Sequence, residues 1–184
     1  MAMSSGITPA AVLEFWRGAG HERWFNPDPD FDTQVRERFS GLHEAASASR
    51  LSAWEETAEG ALALVIVLDQ FSRNMFRGTA RAFSADPLAR EVSRRALARG
   101  FDRGVDPAMG SFFYLPFMHS ENLADQEYCL ELYRASGDAE GIKYAEIHRD
   151  AIRRFGRFPH RNEMLGRNST ADEIAYLDAG GFRG

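Results

Sequence analysis

Eight consecutive apolar residues, Ala61 to Leu68, lead directly into Asp69-Gln70-Phe71-Ser72-Arg73-Asn74-Met75-Phe76-Arg77. A helix that is apolar all round needs cover on several sides, so this run is expected at the centre of the fold. A strand is the competing reading for Leu64 to Leu68. The alanines, and Ser52-Ala53-Trp54-Glu55 read as a capping box opening the helix, favour helix. The polar side chains beyond Leu68 sit among aromatics, which exclude water, and a charge kept from water needs a partner.

The remaining segments carry helix starts and stops of their own. Thr8 caps a first helix with Pro9 at its first position and Val12, Leu13 and Trp16 on one face; Trp24 to Pro29 reads as a loop. Phe31, Val35, Phe39 and Leu42 mark the apolar face of a second helix whose polar face carries Arg36, Glu37 and Arg38. Asp86-Pro87 and Asp106-Pro107 each pair an N-cap with a proline, and Gly100 stands where the first of those helices stops. Glu121 to Ala135 is a helix ended by Gly137, and Asp138 to Phe155 one ended by Gly156; Thr170-Ala171-Asp172-Glu173 is a capping box for the last. From Asp86 to Ser120 is 34 residues and from Ser120 to Gly156 is 36, the period of tetratricopeptide hairpins, although the consensus of that repeat is not visible. The expected fold is therefore all-α: stacked antiparallel helical hairpins in one domain over residues 1–184.

The formal charge of -5 argues against general affinity for nucleic acid or an anionic membrane. Between His148 and Arg167, however, six arginines face only Asp150 and Glu163, which keeps a local anion site open. Cys129 is the only cysteine and reads as a core thiol, and no basic region followed by an apolar stretch opens the chain. A soluble, cytoplasmic protein without cofactor is expected, and the missing cysteines leave no structural zinc pattern. Walker loops, dinucleotide fingerprints, nucleophile elbows and His-Glu-x-x-His are all absent.

Three polar-aromatic segments supply the candidate site: Asp69 to Arg77, Tyr114 to Glu121 and Phe155 to Asn162. Asp69, Arg73 and Arg77 are spaced by four and pair in sequence if the helix continues, with Asn74 beside them. His119 and Glu121 flank Ser120 just beyond Pro116, where the backbone is irregular; a structural reading has Ser120 or Asn122 capping the next helix. His148 lies on the inward stripe Tyr144, His148, Ala151, Phe155. His160 follows Pro159 in a loop and, with Arg157, Arg161 and Asn162, forms a candidate clamp for a carboxylate or phosphate. The competing reading pairs those arginines with Asp69, Asp86 or Glu121. Loss of Arg161, placed in an open loop, is expected to cost folding little.

These residues also carry a resemblance. Leu68-Asp69-Gln70-Phe71 with Arg73-Asn74-Met75-Phe76-Arg77-Gly78, Phe83, Asp86-Pro87, Tyr114-Leu115-Pro116-Phe117-Met118-His119-Ser120-Glu121, Leu123-Ala124-Asp125-Gln126, Phe155-Gly156-Arg157-Phe158-Pro159-His160-Arg161-Asn162 and Leu165-Gly166-Arg167 resemble the bacterial domain-of-unknown-function family 924. Val12-Leu13-Glu14-Phe15-Trp16 and Trp24-Phe25 extend the likeness over nearly the whole chain, while Ser72 stands where many relatives have proline. The resemblance implies a tetratricopeptide-like α-α superhelix and brings no activity, substrate or cofactor. Two functions follow from the residues. One is a binding module for a peptide or small anionic ligand, using Asp69, Arg73, Asn74, Arg77, Tyr114, His119, Glu121, His148, Arg157, His160 and Arg161. The other is an enzyme acting on a small anionic substrate, with His119 or His160 as acid or base and Glu121 as a further catalytic candidate. Either reading expects Asp69, Arg73, His119, Glu121 and Arg157 in one neighbourhood.

Overall fold

The computed structural model describes residues 6–184, so the reading of the opening residues as free of a leader lies partly outside the described residues. The described residues hold α-helices and short 3-10 turns and no strand, and no helix among them is long and apolar enough to cross a membrane. The chain divides into two compact units, up to Pro116 and from Phe117 onward.

The first unit is built around its most apolar segment. It contains α1 (Pro9–Phe25), α2 (Pro29–Ser47), α3 (Ala58–Met75), α4 (Asp86–Ala98) and the single-turn α5 (Pro107–Gly110). Every side chain of α3 from Ala61 to Ser72 is buried, with α1, α2 and α4 packed on it. Trp16, Phe31, Phe39 and Phe71 interlock between α1, α2 and α3, their ring centroids 4.7 to 6.0 Å apart in neighbouring pairs.

Four local expectations change here, each for a physical reason. Ser52–Glu56 is a 3-10 turn, because the Glu55 carboxylate goes to Arg95 at 2.7 and 3.0 Å rather than back to a cap. Thr57 caps α3 instead, accepting from the Gly60 N–H at 3.1 Å. Asp86 starts α4 without capping it, since its carboxylate is held by Arg73. Asp106 does cap, accepting from Ala108 at 3.0 Å, yet its helix ends at Gly110; the stretch from Asp86 to Ser120 is one helix followed by short turns, and the matching spacings are not two equal hairpins. Finally α1 kinks at Gly20 (φ 76°, ψ 167°), where glycine bears the positive φ, and a second helical stretch runs on to Phe25, so the loop shrinks to Asn26 to Asp28.

In the second unit the local signals hold. The single-turn α6 (Leu115–Met118) runs across the division between the units, and α7 (Leu123–Ser136), α8 (Ala139–Phe155) and α9 (Ala171–Asp178) follow. Helices α7 and α8 form an antiparallel hairpin, stitched by Arg134 to Glu146 at 3.3 Å and Arg153 to Glu127 at 2.6 Å. Gly137 and Gly156 end the two helices in the left-handed conformation, and at Gly141 a Cβ would strike the Tyr133 ring. Asn122 caps α7 through Ala124 at 2.8 Å, which moves its start past Glu121. The buried Gln126 amide donates to the carbonyls of Phe117, Met118 and Ser120 and so fixes the irregular backbone before α7. Thr170 and Glu173 make the reciprocal capping box of α9.

Candidate functional site

In the first unit the polar end of α3 is closed by ion pairs. Arg73 reaches the Asp69 carboxylate at 3.0 Å, as the spacing of four predicts, and forks onto Asp86 with two bonds of 3.1 Å. Asp69 is fully buried and Asp86 nearly so. Burial opposes the Arg73 charge, but the pull of Asp69 and Asp86 outweighs it and raises the pKa. Arg77 does not extend this ladder. It forks onto Asp32 of α2 at 2.6 and 2.9 Å, and Asn74 joins the same carboxylate at 2.7 Å. Tyr114 donates its hydroxyl to Asp102 at 2.9 Å. Asp32 and Asp102 escaped the sequence reading. For Asp32 a signal existed, since it lies three residues before Val35 and seven before Phe39, on the core stripe of α2.

His119, Glu121, His148, Arg157, His160 and Arg161 all belong to the second unit, where ion pairs and hydrogen bonds hold Glu121, Arg157 and Arg161, and ring contacts with Phe158 seat His148 and His160. Glu121 is gripped by Arg167 at 2.7 and 2.9 Å and accepts from the Phe158 N–H at 2.8 Å. Burial works to raise its pKa, and these donors overcome that and lower it. Arg157 forks onto the buried Glu173 at 2.7 and 2.9 Å, and these bonds hold the Glu173 carboxyl down at about 2. The Glu173 carboxylate also receives the Thr170 N–H at 2.7 Å and Asn162 at 3.2 Å. Arg161 is the main correction. It ends a 3-10 turn, Pro159–Arg161, is 7% exposed, donates to the His119 carbonyl at 3.0 Å and lies 4.5 Å over the Phe158 ring. It is a clasp inside the unit rather than a free loop arginine.

Three histidines share this neighbourhood. His148 bonds through Nδ1 to the Tyr144 carbonyl at 2.7 Å, and burial, followed by the charges of His119, Arg161 and His160, pushes it down to about 3. Tyr144 itself is exposed, so the stripe is inward only from His148 on. His160 is lowered to about 4, mainly by burial and next by Arg161. Its Nδ1 is buried and has no hydrogen-bond partner. Arg157 is paired with Glu173 and Arg167 with Glu121, and the Arg161 charge acts on both Glu121 and His160. Phe158 lies beneath, and Phe182 packs 4.2 Å from the His148 ring and 5.2 Å from the His160 ring. Both pKa values lie well below neutral pH, so the two imidazoles are uncharged there and present one donor and one acceptor each.

Cys129 is fully buried, and burial pushes its thiol up to about 12, so it is an inert core residue. Among the described residues no group of three or more His, Cys, Asp and Glu side chains is arranged to hold a metal ion.

The profile of the family described as bacterial protein of unknown function DUF924 matches residues 12–181. The chain belongs to this family. Its fold is also that of a solved structure of a protein of unknown function, ATU0120 from Agrobacterium tumefaciens, which is 44% identical with a TM-score of 0.90. That likeness covers 94% of this chain and 97% of the other. No curated protein matches. For this DUF924 member the ion pairs at Asp69, Glu121 and Arg157 thus stand as described geometry, and function rests on the residues themselves.

Proposed function

We propose that this DUF924 member is a binding protein for a small oxyanion, a carboxylate or phosphate, received at His160 in the second unit. The observation that carries the reading is the buried, unpartnered Nδ1 of His160 within the field of Arg161 and Arg167. A buried ring nitrogen without a partner forgoes a hydrogen bond worth about 1 kcal/mol or more. A ligand oxygen supplies it by accepting from Nδ1–H, the imidazole taking up a proton as the anion binds. Arg161 contributes charge rather than a fork, because one of its amino groups is committed to the His119 carbonyl. The network of side chains from Glu121 to Glu173 suits a compact ligand better than an extended peptide. Binding is favoured over acid-base catalysis because a histidine held at about 4 transfers protons poorly near neutral pH. A cytoplasmic setting fits the lone buried thiol.

A thermal-shift screen of sulfate, phosphate and succinate against the full chain tests the proposal. We expect saturable stabilisation by at least one of them that His160→Phe abolishes. Equal stabilisation of the wild type and the His160→Phe variant would reject the site.

A further inference from the structure

We propose that residues 180–184 form a displaceable strap whose Phe182 ring occupies the place over His148 and His160 that the oxyanion takes when bound; this rests on the binding reading above. The strap is fastened to α9 by hydrogen bonds. The Gly181 N–H donates to the Tyr176 carbonyl at 2.9 Å, the Phe182 N–H to the Tyr176 hydroxyl at 2.9 Å, and the Arg183 guanidinium to the Leu177 carbonyl at 2.6 Å. These partners all lie in the final two turns of α9, so the strap can stay fastened there while its ring moves and the contact of the Phe182 backbone with His160 is released. Gly180, in the left-handed conformation at φ 82°, supplies the pivot, and Gly181 has no room for a Cβ beside the Tyr176 ring.

What lies under Phe182 is mismatched to it. The Phe182 ring covers two imidazoles and the Phe182 backbone hydrogen-bonds His160, yet Nδ1 of His160 stays buried without a partner. Apolar cover of that kind leaves a hydrogen bond unmade, so a polar occupant gains what the phenyl ring cannot. Phe158, by contrast, is fully buried, whereas Phe182 is only partly buried. The charged groups facing the histidines are Arg161, Arg167 and Glu121, with His119 beside them. When Phe182 leaves, water or an anion reaches the rings and the burial that lowers their pKa is relieved.

The test uses the full chain as wild type, Phe182→Ala and Tyr176→Phe, the second removing only the hydroxyl that holds the Phe182 N–H. Histidine titrations are followed by NMR and sulfate affinity by calorimetry. In Phe182→Ala, His160 is expected to titrate closer to its ordinary 6.5 than to about 4, and sulfate to bind about three- to tenfold more tightly, because the closed population no longer competes. Tyr176→Phe moves both readouts the same way by less, and decides the matter if Phe182→Ala fails to fold. Unchanged titration in both variants, or weaker sulfate binding in Phe182→Ala, overturns the strap. Titration that shifts while sulfate binds no form of the protein overturns the ligand's part in it and the binding reading together, leaving only a hydrophobic cover.

Discussion

Arg73 and Arg161 are both held by the fold, and the way each is held decides what its loss does. Arg73 stands between two buried carboxylates, so removing Asp69 alone leaves it paired with Asp86. Removing Arg73 instead leaves Asp69 and Asp86 deprived of their shared cation. We therefore expect Arg73→Met to cost about 3 to 5 kcal/mol and Asp69→Ala about 1 to 3 kcal/mol. Arg161→Ala loses a charged hydrogen bond to the His119 carbonyl and the stacking on Phe158, and should cost about 2 kcal/mol. Urea melts of the three variants check the order. An Arg161→Ala protein as stable as the wild type would mean that the arginine does not clasp the turn.

At the scale of elements, what the sequence made legible was local. Thr8, Asn122, Asp138 and Thr170 cap helices, and Gly137 and Gly156 stop them, because each of these acts on backbone within a few residues. The buried run from Ala61 to Leu68 was legible for a related reason, since composition alone demands cover. Misreadings occurred where a side chain with a local role open to it took a distant partner. Glu55 chose Arg95 forty residues on, Asp86 chose Arg73, and Arg77 chose Asp32 across α2 and α3 rather than Arg73's ladder. Of the candidate site, the residue types were visible in advance, while the division of Asp69 and Arg73 from His119, Glu121 and Arg157 into two compact units, the partners Asp32, Glu173 and Arg167, and the Phe182 cover depend on tertiary geometry. The corrected start of α3 gives a direct check: Thr57→Ala should cost about 1 kcal/mol and Ser52→Ala only a few tenths. The reverse order in thermal melts would restore the capping box at Ser52.

At the scale of the whole molecule, a chain of net charge -5 carries six arginines against Asp150 and Glu163 in the segment from His148 to Arg167. A local excess of arginine lets a small anion approach a chain whose net charge is negative. The sign of the pH effect follows from the lowered histidine. Free His160 titrates at about 4, below its ordinary 6.5, and an anion against the ring favours the charged form, so binding raises that pKa. Between the free and bound values each anion brings a proton with it, and affinity strengthens as pH falls, by at most about tenfold per pH unit. The most direct test is calorimetric titration with sulfate, which keeps its charge throughout, from pH 8 down to pH 5 with the wild type and His160→Phe. The account predicts binding that tightens toward acid with proton uptake and disappears in His160→Phe. Affinity that is independent of pH, or unchanged by His160→Phe, would contradict it.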